Sequence, residues 1–346
     1  MKKLLWLPFL IISLWGQWAL WGNPSLPVGS ASNGIGLWAG QIMFTTDYNY
    51  QYIDWEHDPI PGEDFDHLGN LVTNIVSPAV TLGLSNFLNL TFKTTLGVRS
   101  MDWMGLEKSD HHRDETSLSD FKNAHGNVLG DTDILLKYLL TNTGAQSGSR
   151  IFLGLGLTIP SNSVLTKSPY LLDESTGEAL EEHRHFSLSD GCYKMNYEFQ
   201  YYVKSNFNYF LLPSFYGVSL NYYDPIDESQ YGYNPGPSLV NITSFLYRTN
   251  LSQRFLPKAV NIGIVFTKSE SSIWNGKKSP IEGMNLFMPS IGFNWVDDNF
   301  GSLNLNIRYM KSAPLQSDKL NNNSSSYGIS LGYRKVLDYT IPWLYW

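Results

Sequence analysis

Lys194-Met-Asn-Tyr-Glu-Phe-Gln-Tyr-Tyr-Val-Lys204 changes side with almost every residue. Lys194, Asn196, Glu198 and Gln200 fall on one face of an extended chain, and Met195, Tyr197, Phe199, Tyr201 and Val203 on the other, because successive strand side chains point in opposite directions. A half-buried strand of a soluble protein would read the same way, so recurrence decides the matter. Leu303, Leu305, Ile307 and Tyr309 alternate with Ser302, Asn304, Asn306 and Arg308. Ile151, Leu153, Leu155, Leu157 and Ile159 alternate with Phe152, Gly154, Gly156 and Thr158, and Leu88, Leu90, Phe92, Leu96 and Val98 with Asn89, Thr91, Lys93, Gly97 and Arg99.

Further runs lie near residues 35–50, 69–83, 130–140, 207–222, 238–250, 258–268, 286–297 and 325–336. Together these are about twelve segments, each close to the roughly 9 to 11 residues that a tilted strand needs to cross a bilayer. Their connections alternate in length. Residues 84–86, 205–206 and 297–301 are short, whereas 51–68, 103–129, 161–189, 223–237, 269–285 and 312–324 are longer and polar. Membrane barrels pair short periplasmic turns with longer outer loops, and an even strand number puts both termini on the short-turn side. The pattern predicts a transmembrane antiparallel β-barrel of about twelve strands. Pro78, Pro213 and Pro289 fall inside expected strands and mark bulges or strand ends, since proline lacks a ladder donor.

The ends of the chain agree with export. Residues 1–22 open with Lys2 and Lys3 and run through an apolar stretch, as a secretory signal peptide does. Trp18, Leu20 and Trp21 are large for a cleavage site, so an uncleaved anchor stands as the alternative. Residues 23–346 read as one barrel domain. Without Lys2 and Lys3 the chain has 22 basic against 31 acidic residues, a net of −9, which argues against a nucleic-acid partner. Cys192, the single cysteine, has no internal disulfide partner. Aromatic residues are 14% of the chain, enough to furnish girdles at two membrane interfaces.

The last strand, Tyr327-Gly-Ile-Ser-Leu-Gly-Tyr333, and the terminal Trp346 resemble the C-terminal signal of bacterial outer-membrane barrels. Lys335 falls on the outward register and Pro342 interrupts the tail, so the strand is expected to end near Val336. Gly126-Asn-Val-Leu-Gly-Asp-Thr-Asp-Ile-Leu-Leu-Lys-Tyr138, with Phe152-Leu-Gly-Leu-Gly-Leu-Thr-Ile-Pro-Ser161, resembles the central hairpin of the outer-membrane transporters named for the meta pathway of phenol degradation. The likeness covers about 35 residues, and Pro160-Ser-Asn stands where that family often has Pro-Thr-Gly. It implies a porin-like channel or facilitator for small apolar or aromatic solutes. The partners implied are outer-membrane lipid, the outer-membrane assembly machinery and the solute; no cofactor and no enzymatic activity are expected.

Lys93, Arg99, Asp131, Asp133, Lys137, Lys194, Glu198, Arg308 and Arg334 are expected to line the lumen, because a Lys or Arg facing lipid near the midplane costs about 2–4 kcal/mol. They would either tune solute passage or pair across a filled interior. All seven histidines are expected in outer loops beside acids, as in Asp110-His-His-Arg-Asp114 and Glu181-Glu-His-Arg-His185. His111, His112, His183 and His185 are candidate ligands for Zn²⁺ or Cu²⁺, and a closed barrel whose loops bind metal or a surface partner is the alternative function. No expected strand holds a histidine, so a wall-mounted Ser–His site of the phospholipase type is not expected. Cell fractionation separates the barrel from a secreted β-sandwich: the chain is expected in the outer membrane with heat-modifiable migration, and recovery from the soluble periplasm would exclude the barrel.

Overall fold

The computed structural model describes residues 34, 36–57, 64–107, 114–118, 124–141, 147–168, 187–205, 213–249, 255–278, 285–297, 300–311 and 322–344. Its strands are β1 (Gln41–His57), β2 (His67–Gly83), β3 (Leu88–Trp103), β4 (Leu129–Leu139), β5 (Gly148–Ile159), β6 (Lys194–Lys204), β7 (Phe215–Pro225), β8 (Ser238–Arg248), β9 (Ala259–Ser269), β10 (Asn285–Asp297), β11 (Gly301–Lys311) and β12 (Asn322–Thr340). Each pairs antiparallel with the next, and β12 pairs with β1 from Gln41↔Thr340 to His57↔Asn322, which closes the sheet. An 11-residue strand is about 36 Å long and, at the usual tilt, spans roughly 27 Å of membrane.

Among the described residues no helix is long and apolar enough to cross a membrane. Crossing falls to the strands, and burial is inverted relative to a soluble protein. Outward positions carry exposed apolar side chains, among them Val76, Leu136, Leu155, Ile262, Ile291, Ile307 and Leu331. Aromatic pairs sit near both edges of this band: Tyr52 stacks on Tyr327 at 5.1 Å towards the long loops, and Tyr216 lies 5.2 Å from Phe245 towards the short turns. Inward positions are largely polar and buried, for example Thr45, Thr73, Asn89, Gln200, Asn306 and Ser330.

The prolines sit where the ladder tolerates them. Pro78 pairs with Thr46 on β1, but the β2–β3 ladder skips from Val76↔Leu96 to Ala79↔Lys93. Pro289 pairs with Ile264, and the ladder from β10 to β11 begins only at Ser290↔Arg308. Pro213 precedes β7 and its carbonyl accepts from the Ser205 hydroxyl at 3.2 Å, so the segment expected at 207–222 is shifted to Phe215–Pro225. Proline starts a strand more easily than it continues one.

Two expectations are corrected. The last strand does not end near Val336: it continues to Thr340 because a bulge between Gln41 and Met43 re-engages β1 with the tail. Not every histidine lies in a loop. His57 and His67 pair across the ends of β1 and β2, and His67 is fully buried, stacked 5.4 Å from Phe65 and edge-on to Trp103 at 5.3 Å. Aromatic packing holds the imidazole inside the wall.

The outward register predicts a graded response to charge. Leu331→Lys, near the middle of β12, is expected to lower the unfolding free energy of the lipid-embedded barrel by about 2–4 kcal/mol, and Leu337→Lys near the short turns by roughly 0–1 kcal/mol. Denaturant titration in liposomes measures both.

Candidate functional site

The interior is built on β3 to β6. Lys93 and Asp133 are register partners, and their side chains form an ion pair at 2.9 Å. Thr158 of β5 donates its hydroxyl to the second Asp133 oxygen at 2.6 Å. Four residues along β4, Lys137 reaches over β5 to Glu198 of β6 at 3.1 Å, with each side chain only 5% exposed. Gly154 makes that reach possible: it is the register partner of both residues, and a Cβ there would lie 2.8 Å from the Glu198 Cβ. Gln200 donates its amide to the other Glu198 oxygen.

The same network continues towards the long loops. Lys194 pairs with Asp190 and lies 3.7 Å from Asp131. Asp131 also accepts from the Ser161 amide at 3.3 Å. Arg99, 4% exposed, donates Nε to the Thr73 hydroxyl and Nη1 to the Ser187 carbonyl, both at 3.2 Å. These contacts pull the stretch 187–193 inward, where Leu188, Ser189 and Asp190 are buried. Cys192 is buried with them, and burial pushes its thiol up to about 12, with Asp190 adding to the shift; the group is an inert thiol at neutral pH.

The remaining two cations stand on other walls. Arg308 donates to the Asn49 side chain at 3.4 Å, and Arg334 to the Ser302 hydroxyl at 2.7 Å. Of the nine lumen candidates, therefore, Lys93, Asp133, Lys137, Glu198, Asp131 and Lys194 form ion pairs along one wall. Arg99 anchors a loop, and Arg308 and Arg334 line the opposite side. His111, His112, His183 and His185 lie outside the described residues, and among the described residues no three His, Cys, Asp or Glu side chains are grouped to hold a metal ion.

Two features had no counterpart in the sequence reading. Gly34 and residues 36–40 lie inside the barrel at the short-turn end. Leu37, 1% exposed, donates its amide to the Asn89 side chain at 3.0 Å, and the Asn89 amide group donates back to the Leu37 carbonyl at 3.2 Å. The Gly34 amide donates to Gln200 at 3.1 Å, and any side chain at Gly36 would run into Leu139. The segment packs over Leu139, Phe152 and Tyr202, which with Phe215 form an apolar cluster facing inward. The second feature is a cavity of about 460 Å³ between β5 and β12 at the same end, bordered by Gly34.

Towards the long loops the inner wall turns apolar. Val240, Val265, Leu286, Met288 and Met310 form one cluster with Tyr223 and Ile242 against it, and Ile53, Leu71 and Met101 form another on β1 to β3. Val265 and Ile242 also line the cavity.

The architecture has solved counterparts. An outer-membrane channel from Pseudomonas putida F1 superposes with a TM-score of 0.57 at 11% identity, over 88% of this chain and 98% of that one. The fold is that of an outer-membrane β-barrel. The P. putida toluene transporter TodX gives a TM-score of 0.42 at 8% identity over 85% and 89% of the two chains. The chain matches no protein-family profile and no curated protein sequence.

The buried pair makes a stability prediction. Lys137→Met leaves Glu198 charged and uncompensated, and is expected to cost about 3–5 kcal/mol. Adding Glu198→Gln is expected to restore most of it. Unfolding midpoints of both variants in detergent measure the pattern; equal losses in the single and the double variant would mean that the pair does not act as a unit.

Proposed function

We propose that the protein is an outer-membrane channel or facilitator for passive passage of small apolar or aromatic solutes. The observation that carries this reading is continuity: Ile242 and Val265 belong both to the apolar inner wall and to the cavity that opens among the short-turn strands. A lumen built only to hold the barrel shut would bring polar partners to this wall, whereas Leu286, Met288 and Met310 present flexible apolar surface instead. The solved P. putida barrel of like fold is itself described as a channel, and the same role is proposed here.

In this reading the apolar side receives solute and the ion-paired wall of β3 to β6 keeps the barrel rigid. Segments 103–129 and 161–189 control access from outside. Their described roots are already joined: the His125 amide donates to Val164 at 2.9 Å, the Ser189 amide donates to Ser163 at 3.0 Å, and Ala124 bridges Leu165. Gly34 and residues 36–40 close part of the periplasmic mouth, and the cavity leaves the rest open. The reading assigns no catalytic step to any residue.

Initial uptake of a labelled neutral aromatic by cells bearing the chain tests this. Uptake is expected to exceed that of cells lacking it, and Met288→Lys, which places a charge on the apolar wall, is expected to bring it down to the level of those cells. Equal uptake with and without the chain would overturn the channel.

A further inference from the structure

Arg308 is a buried charge among neutral neighbours. The residue is 7% exposed, and among the described residues its guanidinium makes one hydrogen bond, to the Asn49 side-chain oxygen, long at 3.4 Å. Its Nε has no partner. Among the described residues no acidic side chain pairs with Arg308, and Asp47, two residues from Asn49 on the same face of β1, acts on Arg334 and Lys93 instead. A second unused donor stands close by. Ser330, 3% exposed, has no partner for its hydroxyl. Register brings the two groups together: Ser330 lies between Asn49 and Asn306, and the guanidinium passes over Gly328, two residues from Ser330, to reach Asn49.

A buried charge is unfavourable unless an opposite charge or a full set of hydrogen bonds meets it, and a guanidinium does not escape that cost by releasing its proton. An anion offsets it. The register partners of Arg308 are Ser290 on β10 and Gly328 on β12, neither of which carries charge. A route leads to this point from the short-turn end, because Ser290 and Asn306, the partners of Arg308 and Ser330, both line the cavity of about 460 Å³. Its inner end therefore borders the two unused donors. One step further towards the long loops, Met310 and Met288 follow Arg308 and Ser290 on the same faces and begin the apolar wall.

We propose that Arg308 and Ser330 form a site for a small carboxylate inside the lumen, reached through the cavity. Adjacent N–H groups of a guanidinium match the two oxygens of a carboxylate in a two-pronged geometry, and the Ser330 hydroxyl donates to the same group. Asn49 steadies the guanidinium from behind. Chloride carries the same charge but offers a single acceptor point, so it uses the fork less well. The inference goes beyond the channel reading, since it stands on these donors and not on which solutes cross the barrel.

Calorimetric titration of the full chain in detergent, in a zwitterionic buffer without added chloride, tests the site with acetate and its neutral isostere acetamide. Acetate is expected to bind at least about tenfold more tightly than acetamide. Arg308→Gln is expected to abolish acetate binding and Ser330→Ala to weaken it about threefold to tenfold, with heat-modifiable migration showing that each variant is folded. A second readout needs no variant: saturating acetate is expected to raise the unfolding midpoint of the unaltered chain, and acetamide at the same concentration is not. No acetate binding, equal binding of the two probes, or undiminished binding in Arg308→Gln would overturn the site. Chloride that displaces acetate at equal concentration would overturn the carboxylate assignment. Uptake keeps the two conclusions apart: acetate binding without uptake of any aromatic removes the channel and keeps the site, whereas aromatic uptake without acetate binding does the reverse.

Discussion

A strand in hydrocarbon has no water to satisfy its backbone, and each unpaired N–H or C=O there costs several kcal/mol. The pairing of β1 with β12 answers this, since it removes the two edges that an open twelve-stranded sheet would present to lipid. The placement of the prolines obeys the same rule. Pro78 and Pro289 each stand where the ladder to one neighbour is interrupted or has not begun, so neither takes a donor out of a continuous ladder on both sides.

Closure then sets the terms for the interior. With the outward face given over to apolar residues, charged side chains must go inside, and inside they must find partners. On β3 to β6 they do, through Lys93–Asp133 and Lys137–Glu198. The second pair spans a whole strand, which a single missing side chain at Gly154 allows. Pairing of this kind commits one wall to rigidity, and it leaves the opposite wall free to be apolar, as the Val265, Leu286 and Met288 cluster is.

The ends of the barrel differ for a related reason. Residues 187–193 fold back at one end, held by Arg99 and the Asp190–Lys194 pair. At the other end the chain itself turns in: Gly34 and residues 36–40 enter beneath β3 to β6, and the cavity bordered by Gly34 is lined from β5 round to β12.

Most of the fold was legible in the sequence because strand alternation is a local property. Period-two patterning in segments such as Lys194–Lys204 fixes which side chains face lipid without reference to any other strand, and the alternation of short and long connections orients the set. Nine charged residues were legible as inward-facing for the same reason. Their partners were not, since Lys137 and Glu198 are separated by an entire strand, and residues 160–193 lie between β5 and β6. Neither the inward turn of residues 34–40 nor the gathering of Arg150, Lys204 and Arg248 has a signature in linear order. The sequence by itself determined the alternation, the strand number and the sidedness of the barrel, which depend on each residue's own transfer energy and its immediate neighbours. Only the tertiary structure decided which charges pair and which collect around a cavity, because those outcomes depend on distances across a closed ring.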